Sequence, residues 1–152
     1  MTDEETGGTG TGHRQVHLAR TGPGEYDVTN PRGGRLHLGS GESPDFTPVE
    51  LLLAAIAGCS AIDVDFIASK RAEPDSFEVR SEGVKLKDPA RGNHMGDLTV
   101  TFTVRFPEGS AGDRARDMLP KAITMSQERL CTVSRTVQLG TPITMRADDE
   151  EN

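Results

Sequence analysis

At 152 residues the chain has room for one domain that buries most of its apolar surface. Hydrophobic residues make up 34% of it and aromatics 4%, a shortage that a second copy of the chain would relieve by completing the core. The formal charge of −7, with no basic cluster to offset it locally, argues against nucleic acid and against a membrane surface as partners.

Residues 1–12, MTDEETGGTGTG, are polar and rich in Gly and Thr, and are expected to form a disordered leader. No apolar segment follows a basic start, so no secretory signal is expected. From His13 onward short alternating runs appear: Val16 and Leu18, then Tyr26 and Val28, then Leu36 and Leu38. Turn chemistry at Thr21-Gly-Pro-Gly and Asn30-Pro-Arg-Gly-Gly separates them, which predicts a meander of three strands.

The stretch Thr47 to Arg71, TPVELLLAAIAGCSAIDVDFIASKR, predicts a long helix. Thr47 can cap it, Pro48 suits the first helical position, and Glu50 completes a capping box. Apolar residues lie all round the wheel, with Leu52, Ala55, Ile62 and Phe66 near Cys59 and small residues opposite, so burial on nearly all sides is expected. Glu50, Asp63 and Asp65 interrupt the run, which reads as a core helix too short and too acidic to be a membrane span.

After it, Ser76 to Lys87 reads as a strand whose parity slips at Glu82-Gly83, the mark of a bulge. A polar loop leads to Leu98–Phe106, where Leu98, Val100, Phe102, Val104 and Phe106 alternate with Thr99, Thr101, Thr103 and Arg105. Ser110 to Leu130 predicts a second helical region, broken or restarted at Pro120, with Cys131 at its end. Thr141 to Arg146 predicts a final strand, and residues 148–152 an acidic tail. The expected class is α+β, a sheet packed on helices, with one domain over residues 13–147.

Cys59 and Cys131 form no CxxC pair, and without an export signal they are expected as free thiols in a reducing cytoplasm. The four histidines, His13, His17, His37 and His94, have no ligand spacing, so no metal and no other cofactor is expected. Cys59 lies among Ala57, Gly58, Ser60 and Ala61, which let a backbone or a small ligand approach closely. Asp63, one turn beyond Cys59, opposes a thiolate there unless it is paired.

TPVELLLAAIAGCSAID, together with ERLCTVSRTV, resembles the OsmC/Ohr family of small thiol peroxidases, and the wording stands nearer the YhfA-like branch. The likeness covers roughly residues 13–147 and rests mainly on a Pro followed eleven positions later by Cys, here Pro48 and Cys59. The family's usual Cys-Pro is Cys131-Thr132 here, and the Glu that directly follows its Pro is Val49, with Glu50 one place on. The resemblance implies an OsmC-like fold, antiparallel sheets wrapped around long central helices in an intertwined homodimer. It also implies reduction of organic hydroperoxides, with Cys59 as peroxidatic thiolate, Cys131 as resolving cysteine and an external dithiol as reductant. Arg20 is the best match for the family's supporting Arg, with Arg32 and Arg35 as rivals, while the capping box accounts for Glu50. The alternative is a non-catalytic dimeric module that binds a small apolar ligand or acts as a redox sensor.

Overall fold

A computed structural model describes residues 10–148, so most of the expected leader and of the acidic tail lies outside the described residues. The chain divides into two compact units, Met1–Leu52 and Leu53–Asn152.

The first unit holds the expected meander, β1 (His17–Gly22), β2 (Glu25–Thr29) and β3 (Arg35–Leu38), antiparallel in the order β1-β2-β3. Asn30 closes the second turn by accepting the Arg32 and Gly34 N–H groups on its side-chain oxygen at 3.1 and 2.8 Å. On β3, His37 pairs across the ladder with Asp27. Its Nδ1 lies 2.6 Å from Asp27 Oδ1, and its Nε2 lies 3.7 Å from Glu25 and 3.8 Å from Asp45. The Asp27 bond raises the His37 pKa against the pull of desolvation, helped by the charges of Asp45, Asp27 and Glu25. A raised pKa means that the fold favours the charged ring. This contribution is therefore complete below the ordinary value of 6.5 and disappears as pH rises through the higher folded value. Thermal melts across that window should fall with rising pH in the wild type, and His37→Gln should remove that component of the slope; an unchanged slope would refute the assignment.

The long helix is α1, Pro48–Ala68. Its capping box forms as expected: the Thr47 N–H donates to Glu50 Oε1 at 2.9 Å, and the Glu50 N–H donates to Thr47 Oγ1 at 3.3 Å. These bonds hold the Glu50 carboxyl below its usual range, which fits a structural role for this residue. Burial of α1 departs from expectation. Only one row, Ile56, Ser60, Val64 and Ala68, is buried, at i, i+4 spacing, while Ile62 and Phe66 on the Cys59 side are 54% and 62% exposed. A single chain has too few apolar side chains to cover a helix that is apolar all round. The expectation that α1 is too short for a membrane span also fails, because its 21 residues are long and apolar enough by composition. Its reading as a core helix rests instead on Asp63 and Asp65 and on the hydrogen bonds made by Ser60 and Asp63.

In the second unit β4 (Ser76–Asp88) and β5 (Gly92–Arg105) form one long antiparallel hairpin. The expected polar loop is thus mostly strand, and Asp88 ties its short turn by accepting the Ala90 and Arg91 N–H groups. The register shifts between Glu82 and Val84, where the bulge was expected. A Cβ on Gly83 would stand 2.8 Å from Leu98 Cδ2 and 3.1 Å from the Gly96 carbonyl, so a larger residue would require both to shift.

Next come α2 (Ser110–Met125), a π-helical turn (Ser126–Leu130) and α3 (Thr132–Leu139). Pro120 does not break α2. The helix is exposed at Arg116 and Pro120, so water can take the carbonyl that Pro120 leaves without a donor. The interruption falls at Cys131, whose extended backbone (φ −73°, ψ 100°) separates the π turn from α3, a helix absent from the sequence reading. Residues 141–148 form no strand, contrary to expectation. No described strand pairs with them, and Ile143 and Met145 are 79% and 87% exposed.

Candidate functional site

All the groups around the two cysteines belong to the second unit. Cys59 sits at the middle of α1, half-buried, and Cys131 is fully buried. The fold brings the two thiols close enough to act on each other's ionisation, and both are free.

Cys131 is the N-cap of α3, and its sulfur accepts the Ser134 N–H at 3.3 Å. The Ser134 hydroxyl lies 3.1 Å from the same sulfur, donating when Cys131 is ionised and accepting when it is not. The Cys131 N–H in turn donates to the Ser126 carbonyl at 2.9 Å, the bond that closes the π turn. With Thr132 at the first helical position, α3 begins directly after Cys131.

The π turn also delivers Ser126 to the interior, where it is 1% exposed. Ser126 Oγ donates to Asp63 Oδ2 at 2.9 Å and lies 2.8 Å from Ser60 Oγ, so Ser60 Oγ is the donor in that bond. Ser60 also favours the ionised form of Cys131. The Asp63 carboxylate, a threat to a neighbouring thiolate, is thereby paired with a hydroxyl.

Burial pushes the Cys59 thiol above its ordinary range, and the charges of Cys131 and Asp63 add to that; the Val133 N–H alone works the other way. Burial also pushes Cys131 up, but the Ser134 hydroxyl and N–H, with Cys59 and Ser60 as further donors, pull it below the ordinary value. Donors therefore converge on Cys131 and are scarce at Cys59.

Ser60 and Ser134 both line a cleft of about 430 Å³ together with Ile56, Leu98, Phe102 and Val137. The lining is completed by further apolar groups and by Thr99, Gln127 and Gln138, with no charged side chain. Such a surface suits an uncharged molecule with an alkyl or aryl body and one polar end. Among the described residues no group of His, Cys, Asp and Glu could hold a metal ion. Arg20 lies on β1 opposite Tyr26, in the first unit, with Arg32 in the turn before β3 and Arg35 at its start.

The sequence reading found both cysteines and weighed Asp63, but missed Ser60, Ser126 and Ser134 as partners. Cys131-Thr-Val-Ser134, a capping residue followed three places on by a small polar one, is the local signal for the last. Nothing local marks the contact between Ser60 and Ser126.

Residues 39–146 match the family described as OsmC-like protein. The chain belongs to that family. An uncharacterised protein, Rv2923c of Mycobacterium tuberculosis, is 29% identical over 137 residues, covering 89% of this chain and 96% of the relative. The OsmC-like protein of unknown function VCA0330 from Vibrio cholerae superposes with a TM-score of 0.70 at 15% identity, over 84% of this chain and 95% of that one. A Legionella pneumophila structure described as an organic hydroperoxide resistance protein OsmC gives 0.57 at 17% identity, over 84% and 92%. At these identities the structural likeness is one of OsmC-like, mixed helix-and-sheet fold.

Proposed function

We propose that this OsmC-like protein is a cytoplasmic, homodimeric thiol peroxidase that reduces organic hydroperoxides through Cys59 and Cys131. The observation that carries the reading is the meeting of two free thiols, remote in sequence, beside an uncharged and largely apolar cleft. Cys59 is the less buried of the two, so it attacks the distal oxygen and becomes a sulfenic acid. Cys131 then attacks Cys59 and forms an intramolecular disulfide, which an external dithiol reduces. A reducing compartment keeps both thiols free between turnovers. The exposed Ile62, Phe66, Ile143 and Met145 support a second copy of the chain as the cover for α1 and the C-terminal segment. Arg20 is our assignment for the cation that assists the Cys59 thiolate; an Arg20→Ala protein with unchanged thiol reactivity would remove it from the site.

One equivalent of cumene hydroperoxide should take two hydrogens from the intact mass and abolish both thiols without crosslinking two chains. Sedimentation should give twice the 16.3 kDa chain mass. An unchanged mass would defeat the peroxidase reading, and a monomer the dimeric one. The cleft by itself favours a second reading, a binding module for a small apolar ligand. Equal ligand affinity in the wild type and in a double Cys59→Ser, Cys131→Ser variant, with inert thiols, would select it.

A further inference from the structure

Two cysteines on different elements can form a bond only if the chain holds those elements in register at the sulfurs. The apolar cluster that joins α1 to α2, Ala68 with Phe106 and Ala115, lies too far along α1 to do this alone. Ala68 stands nine positions beyond Cys59, roughly 13 Å along the helix axis. A small tilt about that cluster would carry Cys59 out of line with Cys131. Among the described residues, the side-chain hydrogen bonds that cross from α1 to the π turn meet at Ser126. Its Oγ donates to Asp63 Oδ2 at 2.9 Å and accepts from Ser60 Oγ at 2.8 Å. Ser60 directly follows Cys59 and Asp63 lies one turn on, so this hydroxyl grips α1 at two points beside Cys59.

The other end of the same residue holds Cys131. The Ser126 carbonyl accepts the Cys131 N–H at 2.9 Å, the five-residue bond that makes this turn π-helical. Beyond the turn, the Cys131 sulfur accepts the Ser134 N–H at 3.3 Å as the cap of α3. Cys131 is therefore fixed through its backbone on one side and through its side chain on the other. Ser126 is 1% exposed and Ser60 8%, so water does not compete for these bonds, and the one to the Asp63 carboxylate is charge-assisted. Alanine fills the interior at positions 115 and 122. What the hydroxyl at 126 adds is the pair of bonds to α1.

We propose that Ser126 is the positioning residue of the disulfide-forming step, locking the π turn to α1 so that Cys131 is aligned with Cys59, a role that rests on the peroxidase reading. In that step the Cys131 thiolate attacks the sulfenic sulfur of Cys59. The S–S bond forms and the S–O bond breaks, so the Cys131 sulfur is oxidised and the sulfenic sulfur reduced. The oxygen leaves as hydroxide and takes a proton from solvent to become water. Ser126 exchanges no proton with either sulfur; it raises the fraction of time for which they are aligned. That fraction governs closure alone, because the first step joins Cys59 to a peroxide that diffuses in.

Single turnovers of the full-length protein with cumene hydroperoxide, followed by a dione trap and by intact mass, separate the two steps. Ser126→Ala should form the sulfenic acid at the wild-type rate and close the disulfide about tenfold more slowly. The longer-lived sulfenic acid should then take a second oxygen from excess peroxide, so sulfinic acid builds up at Cys59 in the variant and not in the wild type. Ser60→Ala removes one of the two grips on α1 and should slow closure by a smaller factor. Closure at the wild-type rate in Ser126→Ala overturns the proposal, and so does an equal slowing of both steps, the mark of a loosened fold. A glutathione redox buffer gives a second readout without peroxide: the Cys59–Cys131 disulfide should be about tenfold easier to reduce in Ser126→Ala. An unchanged equilibrium overturns the proposal. If Ser126→Ala fails to fold, Ser60→Ala in the same buffer decides, and a wild-type equilibrium there is equally fatal. A wild-type protein that consumes no hydroperoxide would remove the peroxidase reading, while the glutathione equilibrium would still test the lock.

Discussion

Cys59→Ser is expected to bring hydroperoxide consumption down to the rate of buffer and dithiol alone. A serine hydroxyl stays protonated at any working pH and is a far weaker nucleophile than sulfur, and no other thiol in the chain is open to substrate. The exchange of sulfur for oxygen changes one atom at a half-buried position that accepts a single backbone donor. The fold should therefore lose no more than about 1 kcal/mol, which separates loss of chemistry from loss of structure. Peroxide consumption by a ferrous-ion assay, with a thermal melt on the same sample, measures both. Full consumption by a folded Cys59→Ser protein would refute the assignment of the nucleophile. The partner variant, Cys131→Ser, should behave differently: it should stall after one turnover with the sulfenic acid standing on Cys59. A variant that cycles normally at both positions leaves only the ligand-binding reading.

What the sequence revealed, and what it hid, divides by range. The capping box of α1 was legible because Thr47 and Glu50 are three residues apart and answer each other's backbone groups. The bulge at Glu82-Gly83 was legible because a parity slip is written into the alternation itself. The ends of α2 were not. Pro120 carries a strong local signal, yet an exposed helix turn tolerates it, and the true interruption at Cys131 is set by backbone angles with no Gly or Pro to announce them. The strand at Thr141–Arg146 was misread because alternation describes a side-chain pattern, whereas a strand also needs a neighbour's edge. The burial of α1 was misplaced for a related reason. A wheel that is apolar all round cannot say which row faces the interior, and the row chosen holds Ser60, whose value lies in its bond to Ser126. Within the site the cysteines were readable from motif and resemblance, while Ser126 became readable only once the π turn had turned it inward.

Gly112→Ala should be strongly destabilising, against the usual direction for a helix. In an open helix this change stabilises by about 1 kcal/mol, because glycine loses more backbone freedom on folding than alanine does. Here Gly112 lies buried in the first turn of α2, and a Cβ on it would overlap the Pro107 carbonyl oxygen outright and stand 2.9 Å from the carbonyl carbon. The obstructing atoms are backbone, so no rotamer change relieves them. They are also held from the other side, since Arg116 Nη1 donates to the Phe106 and Pro107 carbonyls at 3.0 and 3.3 Å, and its Nη2 pairs with Asp113. Moving the turn would pull Phe106 away from Ala68 and Ala115, the buried cluster that joins α1, the end of the hairpin and α2. Overpacking against fixed backbone therefore outweighs the propensity gain, and a net loss of about 3 kcal/mol is expected. Urea unfolding followed by circular dichroism reads this as a lower midpoint at unchanged slope. The same displacement should reach the cysteines, because α2 runs directly into the π turn that carries Ser126 and ends at Cys131. A Gly112→Ala protein that stays folded should accordingly form the intramolecular disulfide more slowly than wild type after oxidation. Wild-type stability together with a wild-type disulfide rate would mean that Pro107 does not approach Gly112 as closely as described.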